Sequence, residues 1–212
     1  GELLQVQPDA RVIAVDSTVF GEDMAIQMNV VDSVAAYLVE LDNTIIATTQ
    51  PALDGRRSAI RSQETNQGDL IADAWLWQAN RLAPQFGAPA VDVAIANGGG
   101  IRNDEIIPAS SDISLRKTFD ISPFGNVITI VEDISPAQFK EIVENAVSRV
   151  DTSSGTGRFG QYAGFKIVYD TAETRQLIDN GVITQVGTRV RTITLDDGTP
   201  IVKEGQVVPD AP

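Results

Sequence analysis

Three glycines in a row with an arginine just beyond, Asn97-Gly98-Gly99-Gly100-Ile101-Arg102, form the segment of this chain most able to do chemistry. It follows a small-residue apolar run, residues 91–96, that reads as a strand. Consecutive glycines let the backbone take positive φ and present N–H groups without side-chain cover. Such a concavity beyond the carboxyl end of a strand suits an anion, and open α/β sheets place their ligands there. Arg102 adds a planar fork that matches phosphate or carboxylate. The plainer alternative is a tight strand-exit turn with a surface arginine. Arg61, just ahead of a helix start, is either a second cation for the same site or a partner for Glu64. Phe124, held between Pro123 and Gly125, either stacks on a planar ligand or plugs the core. Trp75 and Trp77 read as packing residues, and Glu64, Asp69 and Asp73 as a solvated acidic face rather than a metal site.

Composition removes most other chemistry. The 212 residues contain no Cys and no His, which excludes disulfides, an ordinary zinc site, a thiol nucleophile and a His-based triad or general base. Lys and Arg total 16 against 29 Asp and Glu, a net charge of −13. So acidic a chain is no partner for nucleic acid, whose grip depends on Lys and Arg displacing counterions. At about 150 residues per domain, the length suits one large domain with room for an appendage. No run approaches the roughly 18 consecutive apolar residues that span a bilayer, so no membrane span is expected. The opening Gly-Glu-Leu-Leu lacks the basic and apolar regions of a signal peptide, and the chain reads as a fragment of something longer.

The elements that must position these residues follow from pattern. Residues 11–15 read as a strand, and Asn29 as the N-cap of a helix carrying Val31, Val34, Ala35 and Leu38. Residues 45–49 are extended, and Pro51 and Asp54-Gly55 mark a turn. A helix over about 66–82 shows a stripe of Leu70, Ala74, Trp77 and Leu82. Strands are expected at 126–132, 165–169 and 188–195, with a hairpin turn at Asp197-Gly198. The helix 136–149 has the clearest start: Ser135 with Gln138 as a capping box, Pro136 in the first turn, and Ile134 stapled to Phe139. Residues 151–164 read as a loop. The interleaving predicts a single α+β (mixed α/β) domain with a mixed sheet and packed helices.

Three segments occur in a known order: Arg61-x-x-Glu64-Thr-Asn-x-Gly68-x-Leu-Ile-Ala-Asp-Ala74, Asn97-Gly-Gly-Gly-Ile-Arg102 and Ser122-Pro-Phe-Gly-Asn126. Together with Gly157-Arg-Phe and Gly164-Phe-Lys-Ile-Val-Tyr-Asp170, they resemble the C-terminal domain of the 5′-nucleotidase and UDP-sugar hydrolase family over about residues 29–202. The resemblance implies the fold of that domain and a nucleotide or nucleoside as ligand. Phe124 would stack on the base, Arg61 and Arg102 would contact ribose and phosphates, and Asn97 with Gly98, Gly99 and Gly100 would sit beside base or sugar. It implies an N-terminal metallophosphatase partner domain holding zinc or manganese through His, Asp and Asn, with a catalytic His. A chain without His cannot supply that centre, so no catalytic or metal-binding residue is expected here and the chain alone should hydrolyse nothing. Residues 1–28 would be the end of the metallophosphatase domain or a linker, and 29–212 the C-terminal-like domain. The family's Gly-Gly-Asp-Gly loop, with a second stacking aromatic, would lie beyond Pro212. Asp69 stands where family members often have Asn. The resemblance further implies export to the periplasm, cell surface or medium, and a possible homodimer. The competing reading is a non-catalytic nucleotide-binding or surface interaction module.

Overall fold

The computed structural model describes Asp16, residues 20–151 and residues 156–212. The strand expected at 11–15 lies outside them. The described chain opens with a long helix, α1, Met24–Asn43. Asp23 caps it by accepting from the N–H groups of Ala25 and Ile26, and Gln27–Val31 form a π turn within it. Asn29 therefore lies inside the helix rather than at its start, because an acidic cap one turn earlier satisfies the free donors. By length and composition α1 is long and apolar enough to cross a membrane, a property it shares with signal sequences and with core helices. No unbroken apolar run marks it, since Gln27, Asn29, Asp32, Glu40 and Asp42 interrupt the pattern. Only Leu41 is buried; Met24, Met28, Val31, Val34 and Tyr37 stand exposed.

Short elements follow: β1 (Ile45–Thr48), β2 (Leu53–Asp54), α2 (Arg57–Ile60) and α3 (Asn66–Phe86). Thr65 starts α3 by accepting from the Gly68 N–H, and Gly87 ends it at φ 69°. The packed face of α3 is Gly68, Ala72, Ala79 and Ala83, not the larger stripe read from sequence. Small side chains bring the helix down onto the ladder of β3 (Ala94–Asn97) and β6 (Gly160–Ala163), with Ala72, Ala96 and Ala163 buried between. Trp75 packs beside them. Trp77 does not: it is 62% exposed, with the Arg81 guanidinium 5.3 Å from its ring.

Next, β4 (Ile106–Ile107) pairs with β2, β5 (Asp112–Ser114) pairs with β1, and α4 (Leu115–Ile121) follows. Leu53, Ile60, Ile101, Ile107 and Ile121 close a core there. Residues 126–132, expected as a strand, form none. They run past residues 89–95 across a groove of about 450 Å³ lined by Val91, Val93, Ile95, Thr129 and Ile130. Across that gap no ladder forms, so a β-rich sequence finds no partner.

The helix α5 (Pro136–Val147) carries the expected capping box, with Pro136 in its first turn. Phe139, Val143 and Val147 pack on a four-stranded sheet ordered β12 (Gln206–Val207), β11 (Pro200–Lys203), β10 (Val190–Leu195) and β7 (Phe165–Tyr169). The β10–β11 hairpin turns at Asp197-Gly198, with Gly198 at φ 92°. Between β7 and β10 in the chain, β8 (Leu177–Asp179) and β9 (Val182–Gln185) form a hairpin around Asn180-Gly181, both at positive φ. β6 falls inside the stretch read as a loop, where glycines obscure the pattern and only pairing with β3 defines it. The result is one α+β domain; every ladder among the described residues is antiparallel, so no sheet is mixed in direction.

Two buried or half-buried carboxylates yield tests. Glu144, 1% exposed, accepts from the N–H groups of Arg189 and Val190 at 3.1 and 3.0 Å and pairs with Lys140 at 3.0 Å. Glu144→Ala strands both donors and is expected to cost about 2–5 kcal/mol, read as a lower urea midpoint at unchanged slope. Asp69 is lifted from an ordinary 3.8 to about 6 by burial, then by Glu64 and Asp73. A carboxyl whose folded pKa is raised binds its proton more tightly in the folded state. Its charge thus destabilises the fold above about pH 6, and that penalty fades as pH falls toward 3.8. Asp69→Asn is therefore expected to raise the melting temperature at about pH 7.5 by the equivalent of about 1 kcal/mol, and by little at about pH 4.5. An equal gain at both values would contradict this.

Candidate functional site

The site is assembled from three chain segments that meet beside the tip of β3. The first is α2 and the loop after it. Arg57 and Arg61 stand four residues apart, so they share one helical face. Arg56 turns away and pairs with Asp54 at 2.7 Å. Asp104, at φ 49°, accepts from the Arg57 N–H at 2.7 Å and ties the start of α2 to the second segment.

The second segment is the glycine turn. Gly98–Gly100 form a 3-10 turn, and none of the three has positive φ. The Gly98 N–H donates to Phe159 O at 2.7 Å and the Gly99 N–H to Gly157 O at 3.0 Å. The open nest of N–H groups expected from sequence is therefore not formed at these two residues. The glycines serve close approach instead: a Cβ on Gly98 would strike the carbonyl oxygen of Ile60, and one on Gly99 would meet Gly157 Cα at 2.9 Å. Asn97, exposed at the end of β3, donates to Gly157 O at 3.1 Å, and its side chain lies alongside Gly99 and Gly100. Arg102 donates to Gly99 O at 3.3 Å.

The third segment is the loop after α4. The Arg102 N–H donates to Ile121 O at 2.9 Å, which brings that loop alongside. Phe124 follows at once, its ring centre 5.5 Å from the Arg102 guanidinium carbon, within cation–π range. It is 50% exposed, so it is not the core plug that was its alternative reading.

Arg61 links the segments electrically. Burial pushes its pKa down, as do the charges of Arg57 and Arg102, while Asp104 opposes them. Its Nε is buried without a hydrogen-bond partner, and no ion pair joins it to Glu64 among the described residues. Arg61, Arg102, Phe124 and the Asn97–Gly100 turn thus come together in one neighbourhood. Arg57 joins them and was missed in the sequence, although the spacing Arg57-Ser-Ala-Ile-Arg61 was there to read. In a chain of net charge −13, three clustered guanidiniums are a local reversal of sign.

The arrangement can hold an anion and a flat ring. Arg57, Arg61, Arg102, Asn97 and Phe124 supply positive charge, hydrogen-bond donors and a ring, and none of these side chains is a nucleophile. Nor does its donor set suit a zinc or manganese pair. It lacks His and Cys, and among the described residues no group of three or more His, Cys, Asp or Glu converges.

Residues 45–206 match the family described as 5′-nucleotidase, C-terminal domain. The chain is 36% identical over 132 residues to the trifunctional nucleotide phosphoesterase protein YfkN of Bacillus subtilis, covering 62% of this chain and 8% of that protein. It is 32% identical over 138 residues to the snake venom 5′-nucleotidase of Macrovipera lebetinus, covering 65% of this chain and 32% of that one. The crystal structure of a 5′-nucleotidase precursor from Thermus thermophilus superposes with a TM-score of 0.61 at 25% identity, over 85% of this chain and 31% of the other. The chain thus spans a third or less of the length of each. With its ordered motifs and its fold in agreement, the chain belongs to the 5′-nucleotidase C-terminal domain family.

Proposed function

We propose that this domain binds the nucleotide substrate of a 5′-nucleotidase-type metallophosphohydrolase. The observation that carries the reading is the Arg102 guanidinium resting 5.5 Å from the half-exposed Phe124 ring, within reach of the charge of Arg61. A mononucleotide has the complementary form: a planar base for Phe124, and a ribose and phosphate for Arg61, Arg102 and Arg57, with Asn97 and Gly98–Gly100 beside base or sugar. Base–aromatic stacking contributes about 1–3 kcal/mol and tolerates different bases.

In this reading hydrolysis belongs to a metallophosphatase domain earlier in the same polypeptide, whose zinc or manganese this chain's residues do not hold. The exposed apolar side of α1 is where that domain packs, with the boundary between the two regions near residue 28. This is supported by the position of α1 outside the matched residues 45–206 and by the greater length of the relatives. Export of the protein belongs to the same proposal.

Calorimetric titration of the chain with AMP tests the reading. Phe124→Ala is expected to weaken binding about tenfold through lost stacking. Arg102→Ala is expected to weaken it about tenfold or more, with a reduced dependence on salt. Unchanged affinity in both variants would remove the proposal.

A further inference from the structure

Every proposed ligand contact of Arg61 depends on where its backbone lies, and one side chain controls that from inside the fold. Gln161, on β6, is fully buried. Its Nε2 donates to Ile60 O and to Gln63 O, both at 2.9 Å, and its Oε1 accepts from the Thr65 N–H at 3.2 Å. These three backbone groups bracket Arg61 on both sides. Other groups touch this loop at single points: Thr156 N–H reaches Arg61 O at 3.3 Å, and the Tyr169 hydroxyl reaches Ser62 O at 3.5 Å. Gln161 alone among these side chains spans from the residue before Arg61 to the cap of α3.

The chemistry of the side chain is specific. Two carbonyls and one N–H face it, and only an amide offers two donors and an acceptor on one planar group. A carboxylate at this place would set a charged oxygen against two carbonyl oxygens. The same side chain explains Gly68, one turn into α3, since a Cβ there would collide with the Gln161 carboxamide. It also ties the loop to β3, because Gln161 pairs in register with Ala96, immediately before Asn97.

We infer that Gln161 is a positioning residue for Arg61: through its three hydrogen bonds it fixes the guanidinium opposite Arg102 and so sets the domain's preference for a phosphorylated over an unphosphorylated nucleoside. This rests on the nucleotide-binding reading above. Gln161 touches no ligand itself, as it has no exposed surface. Its effect therefore passes only through Arg61 and shows in the phosphate-dependent part of binding.

The measurement is the ratio of AMP to adenosine affinity for the intact chain. Gln161→Met keeps the length and removes the hydrogen bonds; it is expected to lower AMP affinity about tenfold while adenosine changes by about twofold or less. In an Arg61→Ala background, the same substitution is expected to leave the ratio where Arg61→Ala had put it. An additional full loss in that background, or an unchanged ratio in Gln161→Met alone, overturns the inference. Gly68→Ala provides a second route, because it leaves Gln161 in the sequence and displaces its carboxamide. Should Gln161→Met fail to fold, the ratio in Gly68→Ala decides, and a wild-type ratio there also overturns it. A wild-type chain that binds AMP no better than adenosine would instead remove the underlying reading of Arg61.

Discussion

Three guanidinium groups share one small patch here, and because like charges repel, the backbone beneath them must be held. Arg57, Arg61 and Arg102 lie close enough that the charges of the other two depress the pKa of Arg61, with the Asp104 carboxylate in opposition. The restraint comes from neutral amides. Gln67, fully buried, exchanges hydrogen bonds with Asn103 at 2.7 and 3.2 Å, which fastens the residue after Arg102 to α3. Gln161 fastens the loop around Arg61 to β6. Amides satisfy buried backbone groups without bringing a charge of their own, so they hold the patch together and leave its positive potential intact. Elsewhere the same chain uses charge for similar work. Glu144 caps the backbone of Arg189 and Val190, and Arg189 makes a two-pronged pair with Asp151 at 2.8 and 3.1 Å. Those ionic clamps join α5 and the turn after it to the start of β10.

The parts of this arrangement that were legible in sequence are those coded locally. Ser135, Pro136 and Gln138 announce α5 because a cap and its box lie within four residues. Asp197-Gly198 announces a hairpin because a left-handed position needs glycine. Arg61, Arg102 and Phe124 each had a plainer reading, as ion-pair partner, surface arginine and core plug, and were singled out by the ordered motifs of the family; the fold brings them together. What was illegible depends on distant partners. The inner face of α3 was misread because its burial is decided by β3 and β6, which favour Gly68, Ala72 and Ala79 over Leu70 and Trp77. β6 looked like a loop because Gly160 and Gln161 meet needs set by Tyr162 and by α3. The glycine turn had two readings, an anion nest and a tight strand exit, and the structure forms the second, because Ile60 and Gly157 press against it and claim the space.

Two stretches carry hydrophobic pattern that the described residues leave mostly uncovered. α1 presents Met24, Met28, Val34 and Tyr37 to solvent, and residues 126–132 border an open groove beside Val93 and Ile95. Apolar surface is favourable only when something covers it, and an extended β-rich segment gains little until its backbone groups are paired. Both stretches flank the arginine site, one leading into β1 and the other leaving Phe124. Arg61 and Arg102 are therefore internally braced, while these two stretches are not.

Under the proposed reading, that contrast bears on how a binding domain assists chemistry carried out elsewhere in the polypeptide. Interactions with parts of a substrate that do not react raise a rate only when they are converted into correct placement of the reacting group. A misplacement of about 1 Å can lose much of that benefit, so a binding surface of this kind must be stiff even where the rest of its domain is not. Arginine is a poor candidate for stiffness by itself, with a long side chain and many rotamers. The fold answers by fixing what precedes the side chain. Arg102 is pinned at its own N–H and through Asn103, and Arg61 at the carbonyl before it, at its own carbonyl and at the cap of α3. With the backbone set, stacking of Phe124 against the Arg102 guanidinium narrows the remaining freedom and leaves a ring and a charge facing solvent together. On this view the glycines matter for what they allow to come near: Gly68 admits the Gln161 carboxamide and Gly98 admits the Ile60 carbonyl, so the bracing lies within van der Waals distance of the residues it serves.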